Sequence, residues 1–275
     1  MKIPELFAVK GYGVVVTGGA SGLGLAYAEA LAENGARVTL LDMNPERISH
    51  ETARLRGLGY DVRGAVLDVT DHAALDREMD AAAAYGRLDV VFANAGIDSG
   101  PGFVSGWVGA QRPRVAEGAL ENYTDERWNR VIEVNLNGVF ATLRAGARHM
   151  KPRKRGRLIV TTSLAARKCE AVIGAAYMAA KAGATHLVEN VALELAAYNI
   201  TVNAIAPGFF ITNIGGGHAK NPAVQETVAK HVPMHRVGFP DDIKGLALFL
   251  SSPASAYVTG QEIVIDGGWG LGEAD

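Results

Sequence analysis

Tyr177 and Lys181 stand four residues apart in GAAYMAAKAGA, a spacing that places both side chains on one face of a helix. A free phenol, with a pKa of about 10, is a poor base at neutral pH, but a neighbouring cation favours the phenolate, and each unit of depression is worth roughly 1.4 kcal/mol. At an effective dielectric of about 20, one charge at about 4 Å contributes on the order of 4 kcal/mol before desolvation opposes it. The pair is therefore a candidate proton carrier with its own tuning charge. The same spacing also arises in an ordinary amphipathic helix, with a half-buried Tyr and a Lys whose stem lies along apolar surface. Neighbouring motifs decide between these readings.

Gly18, Gly22 and Gly24 in VVVTGGASGLGLAYAEAL follow the valines Val14 to Val16 and open a helical pattern running to about Asn34. Strand, tight glycine turn and helix in that order suit a pyrophosphate. Glycine allows positive φ and close backbone approach, and a helix N-terminus offers unpaired N–H groups and a positive dipole end. A second apolar strand, Arg37 to Leu41, ends in Asp42, eighteen residues after Gly24. A Rossmann unit places the acid that binds the adenosine ribose hydroxyls near there. An acid at that point repels a 2′-phosphate, so the expected cofactor is NAD rather than NADP.

The elements that must position these residues alternate short β-rich runs with longer helical patterns. They predict a parallel, doubly wound α/β sheet with helices on both faces. Strands are expected near 13–17, 37–42, 61–66, 88–93, 157–162, 200–205 and 262–265, about seven in all. Helices are expected near 22–34, 45–57, 71–85, 124–150, 175–198 and 240–250. With 275 residues and 48% hydrophobic content, the chain is expected to bury its core as one domain, 1–275.

Composition excludes several classes. The single cysteine, Cys169, rules out an internal disulfide and points to a reducing, cytoplasmic setting. No apolar run reaches about 18 residues and the N-terminus lacks a sustained apolar stretch, so neither a membrane span nor a signal peptide is expected. A net charge of -2 argues against broad nucleic-acid binding, and the basic run KPRKRGR, Lys151 to Arg157, reads as a solvated turn, with phosphate or RNA contact as the alternative. The seven histidines are scattered without metal-ligand spacing, so no metal is expected.

In an open α/β sheet, ligands bind beyond the carboxyl ends of the strands. Those ends carry Asp68 in VLDVT, Asn94-Ala95-Gly96, Ser163 in IVTTSLA and Pro207-Gly208 in NAIAPGFFIT. With TGGASGLG, Asp42, Asn135 in EVNLNGVF, YMAAK and VTGQEIVIDGG, the chain from about Leu6 to Gly268 resembles the short-chain dehydrogenase/reductase family. The resemblance implies a single-domain Rossmann oxidoreductase whose catalytic set carries over to Asn135, Ser163, Tyr177 and Lys181. It implies pyrophosphate contacts from Gly18, Ser21, Gly22, Leu23 and Gly24, and ribose contact from Asp42. Asp68 and Val69 would meet the adenine, and Asn94 and Gly96 the ribose region. Pro207, Gly208, Phe210 and Thr212 would cover the nicotinamide, with Tyr177 and Lys181 also touching the cofactor. Ser21 and Met43 occupy places where NADP-using relatives often carry basic residues. A homotetramer built on the 124–150 and 175–198 helices is also implied.

Hydride transfer between an alcohol carbon and nicotinamide requires a proton carrier, and Tyr177 is the candidate. Ser163 would hold the substrate oxygen, unless it only satisfies backbone at a strand end. Asn135 sits in an apolar helix where its amide needs a partner, either a relay water beside Lys181 or a local backbone group. Ser163 and Tyr177 are fourteen residues apart, one more than is usual in the family. The intervening loop contains Cys169, a small side chain or a substrate neighbour.

Substrate-facing segments are harder to read. The insertion 97–123 offers Phe103, Val104 and Trp107 as apolar walls and Arg112 and Arg114 as anion receptors, or as surface or subunit contacts. A substrate lid is expected at about 212–236, with a GGG hinge and with His218, Lys220 and His231 meeting substrate on closure. The expected substrate is a small alcohol or ketone: a polyol, sugar or hydroxy acid. The alternatives are reduction of a bulkier cyclic or aromatic ketone, or an NAD sensor without catalysis.

Overall fold

Seven apolar strands are too many to bury against one layer of helices, and the chain sandwiches them between two. The computed structural model describes residues 1–106 and 112–272. Its strands are β1 (Gly13–Thr17), β2 (Arg37–Asp42), β3 (Val62–Val66), β4 (Leu88–Ala93), β5 (Gly156–Thr161), β6 (Ile200–Pro207) and β7 (Glu262–Ile265). They form one parallel sheet in the order β3-β2-β1-β4-β5-β6-β7. The order reverses between β1 and β4, which opens a crevice at the carboxyl ends of those strands. Every residue of β1, β4 and β6 is buried, as expected for central strands covered on both faces.

Alternation along the strands divides the core in two. Val14, Val16, Val38, Leu40, Phe92 and Ile205 face one layer, and Val15, Leu41, Val91, Val160 and Val202 face the other. The first layer holds α2 (Gly22–Glu33), α3 (Pro45–Gly57) and α9 (Lys244–Ser251). In it Tyr27 stacks on Phe92 with ring centroids 4.8 Å apart. The second layer holds α4 (His72–Tyr85), α6 (Gly138–Met150) and α7 (Ala175–Leu195).

Three features depart from the expected elements. A short α1 (Ile3–Leu6) precedes the sheet, and α8 (Pro222–Ala229) lies inside the segment expected as a lid. The helix expected over 124–150 is broken into α5 (Asp125–Ile132) and α6 by a π turn, Glu133–Asn137. Such single-turn widenings concentrate at functional sites, and this one carries Asn135. Among the described residues no helix is long and apolar enough to cross a membrane.

Candidate active site

The glycine turn after β1 is built for close backbone contact. Gly18 and Gly22 have φ of 63° and 54°, values that favour glycine. A side chain at Gly24 would place its Cβ 2.2 Å from the Gly18 carbonyl oxygen. Ser21 is the N-cap of α2, yet its side chain caps no N–H, so the first turn of the helix faces outward with its donors uncommitted. Leu23 packs its side chain on the core, leaving its backbone to the turn. Thr212 closes the cradle from the other side, about one van der Waals contact from the position of a Gly22 Cβ (3.5 Å). Its buried hydroxyl has no hydrogen-bond partner. A buried orphan hydroxyl beside an uncapped helix N-terminus fits a pyrophosphate.

Two carboxylates stand at or just beyond the ends of β2 and β3. Asp42, buried at the end of β2, accepts from Ala20 N (3.2 Å) and Asn44 N (3.1 Å) and so locks the turn to the strand. Asp68 accepts from the backbone N–H and hydroxyl of Thr70 at 3.0 and 2.8 Å. Burial alone would raise its carboxyl pKa, but these hydrogen bonds and Arg130 outweigh it and hold the group low. Val69 lies against Gly138 at the start of α6, where a Cβ would come within 2.9 Å of its Cγ2.

Asn94 brackets three strand ends. Its Nδ2 donates to the carbonyls of Thr17 and Gly18 at 3.0 and 3.2 Å, and its Oδ1 accepts from Thr161 Oγ1 at 3.0 Å. Its side chain is thus committed inward to the framework. From this bracket the chain runs through Gly96, where a Cβ would stand 2.7 Å from Asn135 Oδ1 and 3.6 Å from Lys181 Nζ. Asn135, fully buried, exchanges two hydrogen bonds with the Ile97 backbone: its Oδ1 accepts at 3.1 Å and its Nδ2 donates at 2.9 Å. This partner is not a neighbour on the helix but backbone 38 residues earlier in the chain. Gly96→Ala is expected to cost about 1–3 kcal/mol, as overpacking does in a closed site, and to lower turnover, checked by urea denaturation alongside initial rates.

Lys181 and Tyr177 share a face of α7. Lys181 is 3% exposed, donates from Nζ to the Thr161 carbonyl at 2.7 Å and lies 5.6 Å from the centre of the Tyr177 ring. Burial pushes its pKa down to about 8. The expected depression of the Tyr177 phenol is absent in this structure: burial raises it, a hydrogen bond with Ser163 works in the opposite direction, and the charge of Asp98 adds to the rise. The physical reason is that lysine and phenol are desolvated together. Ser163 itself caps the turn after β5, its Oγ accepting from Ala165 N at 3.1 Å.

The covering segments are held by contacts that periodicity does not reveal. Residues 101–104 and 113–115 fold back on each other, with Val104 bridged to Arg114, and pair with residues 171–173 just ahead of α7. Arg127 on α5 fixes this flap, its guanidinium donating to the carbonyls of Ser99, Pro101 and Glu117 and lying 4.1 Å from the Tyr123 ring centre. A charged residue at the start of a helix carries no sequence signal for such a clamp. Arg114 lies over Phe103 at 5.4 Å and Arg112 donates to the Gly106 carbonyl, so both have partners within the insertion. Trp107 lies outside the described residues.

After β6, which ends at Pro207, Gly208 fits tightly against Asp266, where a Cβ would come within 2.5 Å of the Asp266 Cβ. Phe210 is buried, packs with the core and is bridged to Gly238, anchoring the segment above. Gly216 and Gly217 have φ of 69° and 81° ahead of α8, and Val228, Val232 and Val237 pack with Leu164 and Trp269 next to Ser163. His218 and Lys220 are exposed, as is Cys169. No group of three His, Cys, Asp or Glu side chains among the described residues is placed to hold a metal.

A parallel seven-stranded sheet with a glycine cradle at its switch point defines a Rossmann-type α/β fold, and sequence comparison gives the family. The profile of the enoyl-(acyl carrier protein) reductase family matches residues 18–270. The chain belongs to the short-chain dehydrogenase/reductase family and is an enzyme of that type. It is 32% identical over 275 residues to gluconate 5-dehydrogenase of Gluconobacter oxydans (strain 621H), covering 98% of each chain. A gluconate 5-dehydrogenase from Burkholderia cenocepacia J2315, solved with NADP and tartrate, superposes with a TM-score of 0.84 at 32% identity, over 96% of this chain and 97% of that one. A 3-oxoacyl-(acyl-carrier protein) reductase from Brucella melitensis with bound NAD gives 0.81 at 32% identity, over 96% and 94%.

Proposed function

We propose that this protein is an NAD-dependent oxidoreductase that interconverts a secondary alcohol and a ketone on a sugar acid or a related small polyhydroxy substrate. The observation that carries the reading is the buried Lys181 beside Tyr177, next to a backbone cradle shaped for a dinucleotide. When bound, nicotinamide accepts or returns a hydride and, in its oxidised form, brings a positive charge. Tyr177 takes the hydroxyl proton as the alcohol carbon loses hydride, and returns it to the carbonyl oxygen in reverse. Ser163 holds that oxygen against the phenol. Lys181 supports the phenolate and would hydrogen-bond the ribose hydroxyls of a bound dinucleotide, while Asn135 fixes the Ile97 backbone next to Gly96. The likeness to gluconate 5-dehydrogenases supports a sugar acid. Exposed Trp128, Phe140 and Leu193 on α5, α6 and α7 support the homotetramer.

Asp42 supports NAD over NADP, although relatives are known with either. On this reading its negative charge would meet a 2′-phosphate, and repulsion between such groups at about 4 Å is worth roughly 1–4 kcal/mol between water and a dielectric of 20. NADH is therefore expected to bind at least about tenfold more tightly than NADPH. Asp42→Asn, which keeps an acceptor for Ala20 N, should narrow that ratio. Fluorescence titration of both dinucleotides checks this, and a preference for NADPH in the wild-type chain would remove the assignment.

A further inference from the structure

A cleft of about 690 Å³ lies at the amino ends of the strands, opposite the site just described. Its walls come from the residue before β1, from the first residues of β4, β5 and β6, and from the turn 253–259. Lys154, Arg155 and Arg157 face it from the basic run that the catalytic reading leaves unexplained.

The charge inside it is not balanced. Its one carboxylate, Asp89, accepts from Gly13 N and pairs with Arg87 at 2.8 Å and with Arg153 at 3.0 Å, so its charge is matched twice over by groups other than the three cations. Arg155 donates to the Tyr12 hydroxyl at 2.5 Å, a neutral partner. Arg157 donates to the Gly156 carbonyl, and its buried Nε has no hydrogen-bond partner. Beside it, at the register position paired with Arg157, Thr201 is 7% exposed and its Oγ1 is also without a partner. Burial, reinforced by the nearby Arg155 charge, holds the Arg157 guanidinium below its ordinary range despite an opposing effect from Tyr12. Orphaned buried donors and repelling cations are costly unless a ligand completes them.

We infer that this cleft is a binding site for a small phosphate-bearing anion, with the guanidinium groups of Arg155 and Arg157, the Lys154 ammonium and the Thr201 hydroxyl as its recognition groups. Guanidinium forks match phosphate oxygens in paired hydrogen bonds, and the hydroxyl adds a neutral donor. Ala196, Ile200, Pro253 and Ala256 give the rest of such a molecule an apolar wall. The volume lies within the range of small-molecule sites.

The test is calorimetric titration of pyrophosphate into the full chain saturated with NADH, which keeps the dinucleotide cradle filled, with sodium chloride at equal ionic strength as the control. The wild-type chain should show saturable one-to-one binding. Lys154→Gln with Arg155→Gln, both exposed, should weaken it at least tenfold, and Thr201→Val should weaken it severalfold without a change in net charge. Alcohol oxidation should be unaltered in both variants. Absence of saturable binding above the chloride control, or equal affinity in the exposed double variant, would overturn the inference. Thr201→Val binding like wild type would reduce the cleft to unspecific surface charge and overturn it as well.

Discussion

Tyr177→Phe is expected to lower kcat by about 10²–10⁴-fold, the range that a positioned acid or base supplies, while the affinity for NADH changes little. The ring packs half-buried on α7 and the substitution removes one oxygen, so the helix and the cradle stay as they are. The lost group is the one placed to exchange a proton with the substrate oxygen, in hydrogen-bonding reach of Ser163. Because burial holds the phenol up in the cofactor-free protein, turnover in the oxidation direction should rise towards alkaline pH as the phenolate becomes accessible. The variant should lack this rise. Initial rates against pH, with fluorescence titration of NADH on the same samples, separate a chemical defect from a binding one.

Lys181→Met should have opposite effects on stability and activity. In the folded chain the Lys181 pKa is about 8, against 10.5 in an unfolded one. Below pH 8 both states hold the proton and the folded state bears the cost of a buried ammonium. Between about 8 and 10 the unfolded chain holds more protons, so this group makes stability rise with pH, by up to ~3 kcal/mol if its whole interval is traversed. Above about 10 the raised phenols Tyr27 and Tyr177 act the other way, because the folded state then retains protons that the unfolded chain has lost. Lys181→Met should therefore be more stable than the wild-type chain at pH 7, and its stability should be nearly flat between pH 8 and 10. Turnover should fall by about 10²-fold or more, since the phenolate loses its cation. Urea denaturation at several pH values without added cofactor reads the first effect. A Met variant less stable than wild type at pH 7 would show that the ammonium is not a burden to the fold.

What the sequence made legible follows from how these elements are stabilised. Strands buried on both faces must be largely apolar, so Val14–Val16, Val90–Phe92 and Ala204–Ala206 stand out, and their ends locate the crevice. Glycine spacing shows the cradle because only glycine tolerates the φ values and contacts at Gly18, Gly22 and Gly24. The π turn at Glu133–Asn137 was hidden, since it depends on Asn135 reaching the backbone of Ile97, 38 residues earlier. Arg127 was hidden for the same reason: its partners are carbonyls brought near by folding. Phe210 makes a core contact that its place in the sequence does not announce. An aromatic after a strand end suggests a ligand cover, whereas Gly238 leaves a space on the core side that the ring fills. The upward shift of Tyr177 depends on burial, which spacing alone does not give.

The central claim is tested most directly by initial-rate NADH formation with gluconate and related sugar acids and polyols, with NADP, the reverse reaction with ketones, and Tyr177→Phe measured in parallel. The account predicts NAD-dependent oxidation of a sugar acid or polyol by the wild-type chain, its reversal with the corresponding ketone and NADH, and near-complete loss of both in the variant. Tight NADH binding without turnover in either direction, or full turnover by Tyr177→Phe, would contradict it.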